Sequence, residues 1–175
     1  MTHAAHPVGY LEEFGISEDA LQARGLNAFA EAGLLEIAEV GEDGREHRLT
    51  PQAASAWREL KAEAGRDGEV IFIVSAFRSV GRQAAIVRAK LASGQSIKDI
   101  LTVSAFPGYS EHHTGRAADL SAPGLRPLEA DFEQSSAYRW LIENAGHFGF
   151  HLSYPKDNAL GYQFEPWHWC YRDKT

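Results

Sequence analysis

Cysteine is almost missing from this sequence: Cys170 is the only one. That excludes an intramolecular disulfide framework and any zinc site built on several cysteines. Long apolar runs are missing too. Nothing approaches the roughly 20 residues needed to span a bilayer, so no membrane span is expected. Positive charge is in deficit, with 17 Lys plus Arg against 24 Asp plus Glu and a formal charge of −7. A nucleic-acid partner requires a basic face to displace counterions from phosphates, and the balance here is the opposite. The first residues, Met1-Thr2-His3-Ala4-Ala5-His6-Pro7, place no Lys or Arg ahead of an apolar run and do not read as a secretory signal. The expected location is therefore cytoplasmic, or periplasmic or extracellular if a signal has been removed.

What is present fits one globular domain. The chain has 175 residues, 44% of them hydrophobic and 23% charged, which supports a sizeable core. Ser17 to Ala32 reads as a helix. Leu34 to Val40 and Arg45 to Leu49 read as strands around the turn Gly41-Glu42-Asp43-Gly44. Thr50 and Pro51 open a helix, and Ala54, Trp57, Leu60 and Ala64 recur on one face of it. Glu69 to Ser75 contains Val-Ile-Phe-Ile-Val, the pattern of a buried strand. Helices are expected from about Val80 to Ala92, with a stop at Gly94, from Ser96 through Leu101, and from Ala137 to Ala145. Arg116 to Ser121, Phe150 to Tyr154 and Tyr162 to Tyr171 complete the strands. Helices and strands alternate without a βαβ repeat. The expected class is α+β, a small and mostly antiparallel sheet with flanking helices. Residues 1–49 read as a helix and hairpin subregion ahead of a domain over residues 50–175.

Five of the eight histidines follow residue 110. The polar groups concentrate in Ser75-Ala-Phe-Arg78-Ser79, in Ser110-Glu-His112-His-Thr-Gly-Arg-Ala-Ala-Asp119, and in Glu165-Pro-Trp-His168. A catalytic zinc takes three ligands of His or carboxylate type and keeps one position open. His112, Asp119 and His168 are candidates for those ligands, and Glu165 for the base that deprotonates the attacking water. Taken singly, each has an ordinary reading: a hydrogen-bonded His, a strand-end Asp, a surface Arg. Local geometry also stands against the set. Glu165 and His168 are three apart and face opposite sides of a regular strand, so a bulge or a strand end is required to bring them together. Trp167 lies between base and ligand, where it is either core or a wall of the site. The other aromatics, Trp140, Phe148, Phe150 and Trp169, read as core, His113, His147 and His151 as structural, and Cys170 as an inert small hydrophobe.

The combination is far more specific than its parts. Ser110-x-His112-x-x-Gly115-x-Ala117-x-Asp119, followed by Glu165-Pro-Trp-His168, resembles the VanY-type zinc carboxypeptidases of the bacterial cell wall. Ser75-Ala-Phe-Arg78-Ser79 with Gln83, Gly149-Phe150 with Tyr154-Pro155, and Gly161-Tyr162 with Phe164 extend the likeness to roughly residues 50–172. The resemblance implies a zinc site in a cleft on the sheet, with His112, Asp119 and His168 as ligands. It implies Glu165 as general base, later passing its proton to the leaving amine. It implies Arg78 on the oxyanion or the substrate carboxylate, and Gln83 and Ser110 around the carboxylate of a leaving D-alanine. His113, Arg116, Ser153 and Cys170 depart from residues common in the family, which leaves the ligands and the base intact.

The function implied is removal of a C-terminal D-alanine from a peptidoglycan peptide. The bond is either DD, in a pentapeptide, or LD, in a recycled tetrapeptide, and the expected cytoplasmic location tilts toward LD. A non-catalytic zinc module is the alternative, because the hedgehog signalling domain is similar in fold to this family. A serine hydrolase on Ser110, His112 and Asp119 lacks the Gly-x-Ser-x-Gly elbow.

Overall fold

The computed structural model describes residues 8–173, and the N-terminal stretch read above as lacking a signal lies outside them. Helix α3 over Pro51–Arg66 is the scaffold on which one layer of the fold is laid. Pro51 sets φ for the first turn and donates no N–H, and Ala53, Ala54, Trp57, Leu60 and Ala64 bury one stripe. Trp57 is also anchored through its indole N–H, which donates to Glu39 at 2.9 Å. Truncating a buried Trp of this kind costs about 3–5 kcal/mol.

The stripe packs against a four-stranded antiparallel sheet in the order β3-β4-β6-β5, formed by β3 (Phe72–Ser75), β4 (Ala117–Ser121), β5 (Phe150–Leu152) and β6 (His168–Tyr171). Ile73, Ala118, Leu120 and Trp169 point from the sheet into the same core as α3 and helix α6 (Ser136–Asn144). Alternation sends Asp119 and His168 to the other face, and a register shift between Ile73 and Ser75 brings Ser75 into line with them. Ser75, Asp119 and His168 are in register across three adjacent strands, and that single row starts the functional site.

A second core lies under helices α4 (Val80–Ala92) and α5 (Ile97–Val103) and gathers Val87, Ile100, Phe106, Tyr109, Tyr154 and Tyr162. Ser79, Ser96 and Ser135 cap α4, α5 and α6 by accepting backbone N–H groups. The residues before 50 contribute to both cores. Helices α1 (Val8–Phe14) and α2 (Glu18–Ala23) place Phe14, Leu21 and, just past α2, Leu26 in the second core. The hairpin of β1 (Glu36–Val40) and β2 (Glu46–Leu49) lends Ala38 and Leu49 to the first.

The α+β class and the antiparallel sheet are as expected, and α4 has the expected bounds. The helix expected over Ser17 to Ala32 is cut to Glu18–Ala23. Gly25 turns at φ +76, and the chain then runs irregularly, with Phe29 N–H bonded to Gly108 O at 2.7 Å and Ala32 N–H to His113 O at 2.8 Å. Remote backbone partners override helix propensity there. The strand expected over Tyr162 to Tyr171 begins only at His168. No helix among the described residues is long and apolar enough to cross a membrane.

Candidate metal centre

Each ligand candidate owes its position to a different local device. Asp119 is held at the middle of β4, between β3 and β6, and is 3% exposed. His168 opens β6 opposite it. His112 sits in a 3-10 turn over Glu111–Thr114, entered through Ser110, whose hydroxyl accepts the His112 N–H at 3.3 Å. The turn closes on Gly115 at φ +63, where a Cβ would lie 2.7 Å from Leu35 Cδ2. Only glycine meets both demands, so the chain can fold back directly from His112 into β4.

The row and the turn converge. One donor atom from each of His112, Asp119 and His168 lies within 4.8 Å of the others. The Nδ1 of His112 is 2.7 Å from the Ala76 carbonyl, which fixes its proton there and leaves Nε2 as the donor, 3.2 Å from Asp119 Oδ2. His168 Nδ1 is 3.0 Å from Asp119 Oδ1. Two imidazole nitrogens and a carboxylate brought this close are the donor types of a catalytic zinc, so the residues present fit the metal. Burial holds His112 below the usual histidine range, neutral as a ligand must be. Burial acts the same way on His168, but its bonds to Asp119 and Glu111 outweigh it and raise the metal-free imidazole to about 10. Burial raises Asp119, yet His112 and His168 together take it far below the carboxylate range.

The base candidate is in place. The difficulty of the three-residue spacing is solved by a turn: His168 N–H bonds back to Glu165 O at 3.1 Å, and Pro166 and Trp167 lie outside the strand. Glu165 Oε2 thereby comes 3.8 Å from His168 Nδ1. Burial lifts its carboxyl to about 7, with His168 opposing and Asp119 adding to the rise. A carboxyl poised there exchanges protons at neutral pH.

Arg78 leaves the end of β3 and reaches the same cleft. Its guanidinium donates to Ser75 Oγ at 3.0 Å and Gln83 Oε1 at 2.8 Å, and stands 3.9 Å from Asp119 Oδ2. Burial lowers its pKa from the usual arginine value, with Asp119 and Glu165 opposing. Ser110 and Trp167 line the cleft, which encloses about 490 Å³ and is walled also by Tyr154, Tyr162 and Phe164. Gln83 does not line it. It is 1% exposed, with its amide N–H on Ala105 O at 2.7 Å and its oxygen taken by Arg78. Gln83 therefore faces Arg78 and Ala105 rather than the cleft in this structure.

His113 fills the structural role expected of it, and Glu111 gains a role that the sequence reading did not give it. His113 is fully buried and ties the ligand turn down at both ring nitrogens: Nδ1 meets Arg78 O at 2.6 Å and Nε2 accepts Gly108 N–H at 3.1 Å. Glu111 lies against His168, with Oε2 2.9 Å from Nε2. Burial pushes the Glu111 carboxyl up, but the bond and charge of His168 and a bond from Ser153 bring it below the usual range. An acid beside a ligand histidine was the available hint for Glu111; its partner is 57 positions away.

Fold and site together define the class: an α+β domain with two His and one Asp that could hold a metal ion, a carboxyl and a guanidinium in one cleft. The VanY family profile, described as D-alanyl-D-alanine carboxypeptidase, matches residues 46–174, and the chain belongs to this family. A D-alanyl-D-alanine carboxypeptidase of Enterococcus faecalis is 34% identical over 124 residues, covering 65% of this chain and 44% of that protein. The chain spans less than half the length of the curated relatives it matches first, at 47% and 44%. Among solved structures, the LD-carboxypeptidase LdcB is 31% identical with a TM-score of 0.73, covering 81% of this chain and 69% of its own. The vancomycin resistance D,D-pentapeptidase VanY, solved with Zn(II), is 30% identical with a TM-score of 0.64, covering 83% and 80%.

Proposed function

We propose that this protein is a zinc metallocarboxypeptidase that releases a C-terminal D-alanine from peptidoglycan peptides. The observation that carries the proposal is Glu165: a carboxyl lifted to about 7 and held 3.8 Å from a ligand histidine, in the cleft that also presents Arg78. When bound, the metal supplies a Lewis acid that polarises the scissile carbonyl and acidifies a water. His112, Asp119 and His168 hold it, and their burial keeps competing water from the ligand atoms. Glu165 takes the proton of the attacking water and passes it to the leaving amine. Arg78 pairs with the substrate carboxylate or the developing oxyanion, oriented for that by Ser75 and Gln83. Ser110 adds a hydroxyl at the same wall, and Trp167 closes the cleft beside the base.

For the scissile bond, the reading favours the LD bond of a tetrapeptide; LD-carboxypeptidases and D,D-peptidases both stand among the structural neighbours, with LdcB at a TM-score of 0.73. The proposed location that goes with recycled tetrapeptides is the cytoplasm. The experiment is mass spectrometry of muropeptide tetrapeptide and pentapeptide after incubation with zinc-loaded protein. Loss of one D-alanine from the tetrapeptide is expected. Cleavage of the pentapeptide alone assigns the DD bond. Zinc uptake with no cleavage of either leaves a non-catalytic zinc module.

A further inference from the structure

Glu111 takes no part in the chemistry assigned above, yet its placement is as defined as that of the ligands. The imidazole of His168 is 3% exposed and has a different neighbour at each nitrogen. Nδ1 faces Asp119 and Glu165 and belongs to the ligand cluster. Nε2 is 2.9 Å from Glu111 Oε2, and the Ser153 hydroxyl donates to that same oxygen at 2.6 Å. A neutral imidazole carries one proton, and a carboxylate only accepts. Once the ring is neutral, as a metal ligand must be, the Glu111 carboxylate would hold the remaining proton on Nε2 and leave Nδ1 free for a metal shared with Asp119. His112 obtains the complementary arrangement from a backbone carbonyl, Ala76 O, at 2.7 Å. The two histidine ligands thus have outer partners of different charge, and only the one on His168 is a side chain that can be exchanged.

We infer that Glu111, steadied by Ser153, is a positioning residue of the metal centre: it fixes the His168 tautomer that presents Nδ1 and strengthens that nitrogen as a donor. This rests on the reading of the cluster as a zinc site. Outer partners of this type carry about 10–100-fold in metal affinity. The ligand turn contributes twice to the site, with His112 as a ligand and its immediate neighbour Glu111 orienting another ligand from 57 positions away.

The test measures zinc affinity by competition with a chromophoric chelator, alongside the ¹⁵N imidazole spectrum of His168 in the zinc-loaded protein. Glu111→Ala is expected to weaken zinc binding by up to about 100-fold and Glu111→Gln, which keeps volume and a neutral acceptor, by about 10-fold. Ser153→Ala shifts affinity in the same direction by less. The wild-type spectrum should show a protonated Nε2 and a metal-bound Nδ1, and thermal unfolding of the chelated variants separates lost affinity from lost fold. Wild-type zinc affinity in folded Glu111→Gln and Ser153→Ala proteins overturns the role of Glu111 alone, as does metal on Nε2. Absence of zinc uptake by the wild type overturns the underlying reading of the site.

Discussion

Arg78 and Gln83 are bonded through Nη1 and Oε1 at 2.8 Å, across the first turn of α4, and the pair divides one task between two residues. Gln83 is buried and anchored to Ala105 O, so it fixes the plane of the guanidinium that faces the cleft. A planar fork set this way matches a carboxylate with two parallel hydrogen bonds, which an ammonium does not reproduce.

Replacing Arg78 by Lys keeps the charge and removes the fork. Hydrogen bonds to charged groups are worth about 1.5–3 kcal/mol, so kcat/KM for a D-alanine-terminated peptide should fall by roughly 10–100-fold. Amidating the peptide C-terminus should produce a comparable fall in the wild type, and little further fall in Arg78→Lys. Steady-state kinetics on the four combinations checks this; equal cleavage of free and amidated peptides removes the carboxylate contact.

Gly115→Ala tests the ligand turn. The substitution forces a side chain into φ +63 and places its Cβ 2.7 Å from Leu35 Cδ2 and 3.1 Å from Ala32 Cβ. A strained left-handed residue alone costs about 1–3 kcal/mol. Urea denaturation should show at least that loss, with weaker zinc binding, because His112 and Gly115 belong to one turn. Stability within a few tenths of a kcal/mol of wild type contradicts the account of the turn.

The pH dependence of the metal-free protein follows from His168 and Asp119. His168 is raised in the folded state from 6.5 to about 10, so its contribution is complete below pH 6.5 and is lost as pH rises toward 10. Asp119 is lowered from 3.8, so its contribution is complete above that value and is lost as pH falls below it. Chelated protein should therefore melt lower at pH 9.5 than at pH 6.5, a fall to which the raised Glu165 carboxyl adds, and His168→Gln should flatten that alkaline side. Zinc uptake runs the other way over the alkaline range, strengthening as pH rises, because the Nδ1 proton must leave. A melting temperature of chelated wild type that is flat from pH 6 to 10 contradicts the His168–Asp119 pairing.

Much of this architecture was legible because it is local. Ser79 and Gly94 bracket α4, and Pro51 with the Trp57 stripe defines α3. The ligand set became legible only as a combination of segments, since no single spacing distinguishes it. Strand periodicity set Glu165 and His168 on opposite faces; the turn at Pro166 and Trp167 reverses that, and nothing in a two-residue alternation encodes it. The irregular run near Phe29 and Ala32 was read as helix because its partners, Gly108 and His113, are about 80 positions away. Glu111 was passed over for the same reason. Its meaning lies in His168, a contact that exists only after β6 pairs with β4.

Glu165 gives the most direct test. In Glu165→Gln, zinc content per chain and turnover of a D-alanine-terminated tetrapeptide are measured on the same preparation. The account predicts about one zinc retained, because Glu165 is not a ligand, and turnover reduced by roughly 10²–10⁴-fold, the effect of removing a general base. Turnover equal to wild type, or zinc lost in proportion to activity, contradicts it.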